Sequence, residues 1–269
     1  MNFDNSLTLS DIATTLMSVC EEDNSIIFTA ELKVDRLATA KETEKSLLTF
    51  EDMLKISRSP DEFSAKLKYF ADNGARIEEA TRGQSDNPFW FSARKHCITA
   101  SKAHDVVTRM NTYQKKDGEA DLTSIMEKVF GKPVLNMEIP ALKYGREKET
   151  EAVATFFSAF SKEHKNAKLL GCGIFLCKDM PFVGGSPDGI VVCDCCGKSC
   201  LEVKCPFSIS NTSPTDPGVT LTYLKLNEDG KIMTNRSHKY YTQCQVQMAA
   251  TEINQCLDFT WQFFRKTVF

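Results

Sequence analysis

A chain of 269 residues can bury a full hydrophobic core, as one large domain or as one domain with an appendage. Its composition, 42% hydrophobic and 26% charged, is typical of a globular protein in water, and no apolar run is long enough to span a membrane. The net charge of −3 does not by itself indicate a nucleic-acid-binding protein, so a phosphate-binding surface has to come from a local basic surplus or from bound cations.

The first third of the chain is predicted to be an acidic, helical N-terminal extension covering residues 1–80. Ser59-Pro60-Asp61 combines a capping residue, a first-turn proline and an early acid, and it predicts a helix that Gly74 ends. The polar segment Thr81–Pro88 then predicts a turn or linker. The main domain is expected to begin with this segment and to cover residues 81–269.

Two helical regions follow. Residues 89–110 have the pattern of a helix, a short turn and a second helix, and residues 145–164 predict one long helix. On that helix, Val153 and three phenylalanines form an apolar stripe, and Glu149 lies one turn earlier on the same face. An acid on a face that packs against the core requires a partner, so Glu149 is a candidate functional residue.

The second half of the chain is predicted to contain most of the strands. Their expected bounds are Gly173–Cys177, Phe182–Gly184, Gly189–Cys193, Leu201–Cys205 and, near the end, Cys256–Phe264. A polar loop at 208–220, a short hairpin around Asp229-Gly230 and a helix over Ser237–Glu252 lie between the last two strands. This order predicts an α/β fold with a mixed central sheet flanked by helices.

The most informative motif is Ser186-Pro187-Asp188-Gly189 followed by Glu202-Val203-Lys204. Side chains alternate along a strand, so Glu202 and Lys204 are expected on one face, with Val203 on the other. Taken alone, the first segment is a good β-turn and the second is an ordinary strand pattern. Together they can place two carboxylates and an amine around one divalent cation and a water, as metal-dependent phosphodiester hydrolysis requires.

Five sequence blocks, in order, resemble the YqaJ/lambda-exonuclease family of viral recombination nucleases, within the PD-(D/E)xK superfamily. The blocks are Trp90-x3-Arg94-x3-Ile98-Thr99-Ala100-Ser101, Gly145-x3-Glu149-x2-Ala152, Ser186-Pro187-Asp188-Gly189, Leu201-Glu202-Val203-Lys204-Cys205-Pro206-Phe207 and Tyr240-x2-Gln243-x-Gln245-x2-Met248. The resemblance covers residues 84 to about 264 and implies a restriction-endonuclease-like core.

The resemblance also implies roles for individual residues. Asp188 and Glu202 would bind one or two Mg²⁺ or Mn²⁺ ions, with the carbonyl of Val203 as a backbone ligand and Glu149 as the additional acid. Lys204 would orient or deprotonate the attacking water, with Gln243 beside it. Arg94, Ser101 and Ser186 would form a pocket for a terminal 5′-phosphate, a role that suits Arg94 because guanidinium matches phosphate geometry. The family has a further pocket arginine; Arg109 is nearby, but its spacing does not match, so it is left unassigned.

These roles predict an exonuclease that degrades linear double-stranded DNA from 5′ to 3′, acting in recombination or DNA processing. The resemblance further implies a homotrimer and a recombination partner protein. An endonuclease or an RNA-directed nuclease on the same site is one alternative, because related folds change substrate freely. A non-enzymatic module that binds DNA or docks a partner is another. The chain can also be a piece of a longer protein.

The cysteines form a separate signal. Residues Met1 to Ser10 lack the features of a secretory signal, so eleven cysteines predict an intracellular, reducing compartment such as the cytoplasm or nucleus. Cys193, Cys195, Cys196 and Cys200 lie within eight residues and could ligate a structural Zn²⁺ at a hairpin tip. The spacing is not that of a standard zinc knuckle, no histidine is close in sequence, and free thiols are the alternative interpretation.

Overall fold

The structure is a computed structural model that describes residues 47–260 except 117, 132–138, 213–218, 220 and 227–231. Residues 1–46, the apex of the hairpin at Asp229-Gly230 and everything after Thr260 therefore lie outside the described residues. Within them, the architecture is the expected α/β arrangement of mixed sheets flanked by helices.

The helices of the described chain begin with three short segments and include one long helix. They are α1 (Phe50–Ile56), α2 (Pro60–Lys66), α3 (Lys68–Ala80), α4 (Pro88–Arg94), α5 (Ala100–Lys115), α6 (Thr123–Phe130), α7 (Pro140–Glu163) and α8 (Lys239–Thr251). Single 3₁₀ turns lie at Gln84–Asp86 and Phe207–Ile209.

The strands of the described chain are mostly short. They are β1 (Ile98–Thr99), β2 (Lys168–Leu170), β3 (Phe175–Leu176), β4 (Val183–Gly185), β5 (Gly189–Cys193), β6 (Gly197–Lys204), β7 (Leu224–Leu226), β8 (Ile232–Thr234) and β9 (Cys256–Thr260). Strand β5 has the predicted bounds, and β7 pairs with β8 as the two arms of the predicted hairpin.

The larger sheet has the order β2-β5-β6-β9. Strands β2, β5 and β6 pair antiparallel, whereas β9 pairs parallel with β6. A smaller sheet has the order β1-β4-β3, with β1 parallel and β3 antiparallel to β4. Helix α8 packs against α5 and β4 and also contacts β6 and β9, so it links the two sheets.

One expectation for the N-terminal helices is wrong. The helix that starts after Ser59 ends at Lys66, and a second helix, α3, runs from Lys68 through Gly74 to Ala80. Glycine weakens a helix interior by about 1 kcal/mol, which burial of Phe70 and Ile77 on either side of Gly74 can offset. Both side chains pack in one cluster with Ile174 and Leu176.

The segment Thr81–Pro88 forms a turn that is anchored to the main sheet region. Thr81 is fully buried, its hydroxyl accepts a 2.9 Å hydrogen bond from the amide of Ile174, and Glu78 accepts one from the amide of Gly173. Helices α1 to α3 therefore pack directly on the start of the region that carries β3 and β4.

Candidate active site

Strand β6 separates an apolar face from a charged face, as the alternation of its residues predicts. Leu201 and Val203 are buried with Phe259 of β9 and Ala152 of α7. Glu202 is also buried, and the ammonium group of Lys204 donates to its Oε1. Lys204 Nζ donates as well to Gln243 Oε1 over 3.2 Å and lies 4.4 Å from the centre of the Tyr240 ring. The sequence order Glu-Val-Lys thus brings the acid and the amine together.

Asp188 reaches the same place from the neighbouring strand. It immediately precedes β5, its amide donates to the carbonyl of Leu201, and its Oδ2 accepts a 2.6 Å hydrogen bond from the amide of Val203. Burial raises the pKa of Asp188 well above its ordinary value, and the charges of Glu202 and Glu149 raise it further. Lys204 and the Val203 amide oppose this shift only in part.

Glu149 joins the group from helix α7. Ala152, almost one turn later, is fully buried against Leu201 and Val203, so this face of the helix is turned toward β6. The Glu149 side chain keeps contact with solvent, yet partial burial and the charge of Glu202 raise its pKa while Lys204 lowers it. The three acids therefore act on one another electrostatically, as one cluster.

Burial alone would lower the pKa of Lys204, but the charges of Glu202 and Asp188 and the hydrogen bond to Glu202 more than reverse this and raise it. Lys204 is therefore held as an ammonium group while the carboxylates around it carry their charges.

Two glutamines of helix α8 hold Glu202 in place. Gln243 Nε2 donates to Glu202 Oε1, and Gln247 Nε2 donates to Glu202 Oε2, each over 2.6 Å. Gln247 is fully buried and was missed by the sequence analysis. Its spacing of four residues from Gln243 places both on one helix face, and this periodicity was the available signal.

A further acid beside the cluster was also missed. Asp258 on β9 is paired in register with Glu202 on β6. Its Oδ2 accepts a 2.9 Å hydrogen bond from Thr234, and its buried Oδ1 has no hydrogen-bond partner among the described residues. Burial raises the pKa of Asp258, and Glu202 adds to that effect. No local motif marks it, because the pairing of β9 with β6 is a tertiary contact.

Two of the three residues expected to bind a terminal phosphate, Arg94 and Ser186, contact Trp90. The guanidinium carbon of Arg94 lies 3.7 Å from the centre of the Trp90 ring, and the indole N–H donates to Ser186 Oγ over 2.9 Å. Burial lowers the pKa of Arg94 to about 10, which leaves it charged at neutral pH. The hydroxyl of Ser101, at the start of α5, lies 3.1 Å from that of Thr99. Arg109 instead donates to the carbonyl of Asp121.

The pocket and the acid cluster are linked through Ser186. Its side chain accepts from Trp90, and its carbonyl lies 3.4 Å from Gln247 Nε2, which also binds Glu202. Gly185 allows this approach, because a Cβ there would lie 3.0 Å from Gln247 Cγ.

The acids of the cluster are chemically suited to a hard divalent cation. Among the described residues, however, only His164 and three cysteines bring three or more candidate ligand atoms within 4.8 Å of one another. Glu149, Asp188 and Glu202 offer carboxylate oxygens, the ligands that Mg²⁺ and Mn²⁺ prefer. The mutual repulsion that raises the pKa of Asp188 and Glu149 is the effect that a bound cation would relieve.

The cysteine cluster has a different composition from the one expected. His164 joins Cys193, Cys195 and Cys196, and one ligand atom from each lies within 4.8 Å of the others. Cys200 is not in this group: it is buried farther along β6, where its thiol lies 3.2 Å from the Thr251 hydroxyl. All ten cysteines of the described chain are free thiols, and no helix in that part combines the length and the apolar character that crossing a bilayer demands.

A Pro-Asp pair and a Glu-x-Lys triplet on adjacent strands, with an acid from a flanking helix, define the PD-(D/E)xK class. A family model described as the YqaJ-like viral recombinase domain matches residues 89–254. Because this match covers more than half of the chain, the protein belongs to that family and is a recombinase-like nuclease by fold and site.

Individual relatives match shorter segments. The chain is 42% identical over 40 residues to the alkaline nuclease of Human herpesvirus 6B (strain Z29), and 57% identical over 30 residues to that of Human herpesvirus 7 (strain JI). These segments cover 15% and 11% of this chain but only 8% and 6% of the two viral proteins.

Solved structures show a broader but weaker similarity. The alkaline exonuclease LHK-Exo from Laribacter hongkongensis is 23% identical, with a TM-score of 0.41 over 64% of this chain and 73% of that one. The SOX protein of Kaposi's sarcoma-associated herpesvirus, in an RNA complex, is 14% identical, with a TM-score of 0.46 over 96% of this chain and 74% of that one.

Proposed function

We propose that this protein is a divalent-metal-dependent deoxyribonuclease that degrades linear double-stranded DNA from a 5′-phosphorylated end in the 5′→3′ direction. The observation that carries the proposal is the mutual electrostatic influence of Glu149, Asp188, Glu202 and Lys204. Within this group, Lys204 and Gln243 donate directly to Glu202. Membership of the YqaJ-like family supports it independently. Recombination or DNA processing is the corresponding cellular role.

The three acids, with the carbonyl of Val203, would hold one or two Mg²⁺ or Mn²⁺ ions. When bound, such ions polarise the phosphodiester and acidify a coordinated water. Gln243 and Gln247 orient both oxygens of Glu202 for that task. The amide of Val203 fixes Asp188 in turn, so two of the three acids are positioned before substrate arrives.

Lys204 orients the attacking water and compensates the negative charge that develops at the phosphorus centre. In the metal-free protein its proton is held by Glu202 and Asp188. Neutralisation of these carboxylates by a bound cation would lower the pKa of Lys204, because their negative charge would no longer stabilise its ammonium form. Release of that proton to the surroundings would allow the amine to accept one from water.

Arg94, with Ser186 and Ser101, would bind the terminal 5′-phosphate and so select the DNA end. The Arg94 guanidinium lies over the Trp90 ring, with its central carbon 3.7 Å from the ring centre. A guanidinium can form two parallel hydrogen bonds to phosphate oxygens. Contacts of this kind read the backbone and not the bases, so we expect weak sequence preference.

The test uses four substrates of equal length: linear duplex DNA with and without 5′-phosphate, covalently closed circular DNA, and a matched RNA. We expect Mg²⁺-dependent release of nucleotides from linear DNA only, faster with 5′-phosphate. Products labelled at either end report the direction. Cleavage of circular DNA would indicate an endonuclease. Preferential cleavage of RNA would show that RNA, and not DNA, is the substrate. Inactivity on all four substrates with Mg²⁺ or Mn²⁺ would refute the proposal.

A further inference from the structure

The cysteine-histidine cluster lies at the opposite end of the same elements that build the acid site. His164 directly follows α7, the helix of Glu149, and Cys193 ends β5, the strand that Asp188 precedes. Cys195 and Cys196 lie in the turn from β5 into β6. Fifteen residues of helix separate Glu149 from His164, or about 22 Å at 1.5 Å per residue, so the two sites do not share ligands.

The distances within the cluster match those of a tetrahedral metal site. His164 Nδ1 lies 3.2 Å from Cys195 Sγ and 3.5 Å from the sulfurs of both Cys193 and Cys196, and the sulfurs of Cys193 and Cys195 are 3.4 Å apart. Metal–sulfur and metal–nitrogen bonds of about 2.3 and 2.0 Å at tetrahedral angles separate two sulfurs by about 3.8 Å and a sulfur from a nitrogen by about 3.5 Å. A disulfide would need sulfurs about 2 Å apart.

The surrounding structure orients the ligands. The His164 ring stacks on Phe160 one turn earlier, with centroids 3.8 Å apart and planes within 7°. The amide of Cys196 donates to Cys193 Sγ over 3.3 Å, which helps to fix the position of that sulfur. Gly197 closes the turn with φ of +78°, a conformation that other residues rarely adopt, and this lets both adjacent cysteines face the histidine.

Backbone contacts bring the helix end and the hairpin together independently of the thiols. The amide of Asp194 donates to the carbonyl of Lys165 over 3.0 Å, and Asn166 Nδ2 donates to the Asp194 carboxylate over 2.7 Å. The four ligands are therefore held near one another by the fold itself.

We propose that His164, Cys193, Cys195 and Cys196 bind a structural Zn²⁺ that fastens the end of α7 to the β5–β6 hairpin. Three sulfurs and one imidazole form a soft, closed Cys₃His set, which suits Zn²⁺ and not the hard cation of the acid cluster. The ion stabilises the relative position of the three elements that carry Glu149, Asp188 and Glu202. Its role is therefore in stability and in the alignment of the distant carboxylates.

The test measures metal content and not cleavage, so its outcome is separable from that of the proposed function. Protein purified without added metal is expected to contain about one zinc atom per chain by mass spectrometry of the metal. Cys195→Ser and His164→Ala should lose it. Cys200→Ser is the matched control, since Cys200 is a hairpin-strand cysteine outside the cluster, and this variant should retain zinc.

Two further measurements keep the result independent of folding defects in the variants. A high-affinity zinc chelator added to the wild-type protein should lower its melting temperature, with no such effect on the already zinc-free Cys195→Ser variant. Co²⁺ added to the stripped wild type should give the intense absorption of thiolate-ligated, tetrahedral cobalt. Absence of zinc together with no Co²⁺ spectrum, zinc loss in folded Cys200→Ser, or a disulfide within the cluster would each overturn the proposal.

Discussion

Gln247 donates a 2.6 Å hydrogen bond from its side-chain amide to Glu202 Oε2, at a place where Gln247 is fully buried and Glu202 is only 3% exposed. Gln243 donates to the other carboxylate oxygen over the same distance. Glu202 is thereby held by two amides from one helix face and by Lys204, so its orientation depends on the packing of α8 against β6. Residues that orient a metal ligand are expected to matter nearly as much as the ligand itself.

Replacing Gln247 with leucine should therefore lower nuclease activity about 10- to 100-fold. The substitution keeps the apolar part of the side chain but leaves Glu202 Oε2 without its donor. The measurement is the rate of nucleotide release as a function of Mg²⁺ concentration. The variant should bind Mg²⁺ more weakly, and so need more of it to reach half its maximal rate, and that maximal rate should be lower. Gln245→Leu is the control, because two residues turn a helix by about 200° and place it on another face. Equal activity of the two variants would contradict the assigned role.

The sequence predicts those parts of the site whose residues lie close together in the chain, and it misses those that only the folded structure brings together. The Glu202-Val203-Lys204 alternation is a local property of a strand, and the bounds of β5 follow from its apolar run between turn residues. Asp258 reaches Glu202 only through the parallel pairing of β9 with β6, which no local pattern specifies. His164 likewise meets the cysteines only because α7 ends beside the hairpin.

The helix boundaries show the same limit of prediction from local sequence. Gly74 is a plausible helix end by its intrinsic propensity, yet α3 continues through it because Phe70 and Ile77 are buried on either side. Packing thus overrides a local preference of about 1 kcal/mol. Capping at Ser59, where the side chain accepts from the amide of Glu62, follows the sequence signal because that interaction is itself local.

Lys204→Ala should abolish cleavage while leaving the fold intact. The variant removes the ammonium group that contacts Glu202 and Gln243, and with it the group that we propose orients the attacking water. We expect a loss of at least about 100-fold in rate, the lower range for removing a general acid-base group. Lys198→Ala on the same strand is the control, since Lys198 is exposed and remote from the acids. Circular dichroism confirms folding, and a Lys204→Ala protein that cuts normally would exclude this lysine from catalysis.

Arg94→Ala should erase the preference for phosphorylated ends and affect cleavage of unphosphorylated duplex much less. In the proposed function the Arg94 guanidinium would be the charged group that binds a terminal phosphate, and it lies over the Trp90 ring. The measurement is the ratio of rates on the two linear substrates, which should fall toward one. Arg76→Ala, an exposed arginine on α3 that donates to Asn73, should leave the ratio unchanged. A preserved ratio in Arg94→Ala would place phosphate recognition elsewhere.

Asp188→Asn should inactivate the enzyme but stabilise the metal-free protein at pH 8. The folded protein raises the pKa of Asp188 through burial and the charge of Glu202, so it binds a proton more tightly than the unfolded chain does. Stability from this group is then present at low pH and is lost as pH rises above the unfolded value of about 3.9 through the higher folded pKa. Asparagine removes that loss and still accepts the hydrogen bond from the Val203 amide.

The gain in stability is expected at pH 8 and should shrink toward pH 4, because the wild-type carboxyl group takes up its proton in the folded state as the pH falls. The gain is measured from melting curves of both proteins in buffer prepared without Mg²⁺. No chelator is added, because it would also remove zinc. Asp72→Asn, at an exposed position of α3, should change the melting temperature little at either pH. Adding Mg²⁺ should stabilise the wild type more than Asp188→Asn, because only the wild type has the full set of carboxylates to bind it. If Asp188→Asn melts below the wild type in Mg²⁺-free buffer at pH 8, then ionised Asp188 stabilises the fold. That result would contradict the idea that the ionised carboxylate destabilises the protein until a cation binds.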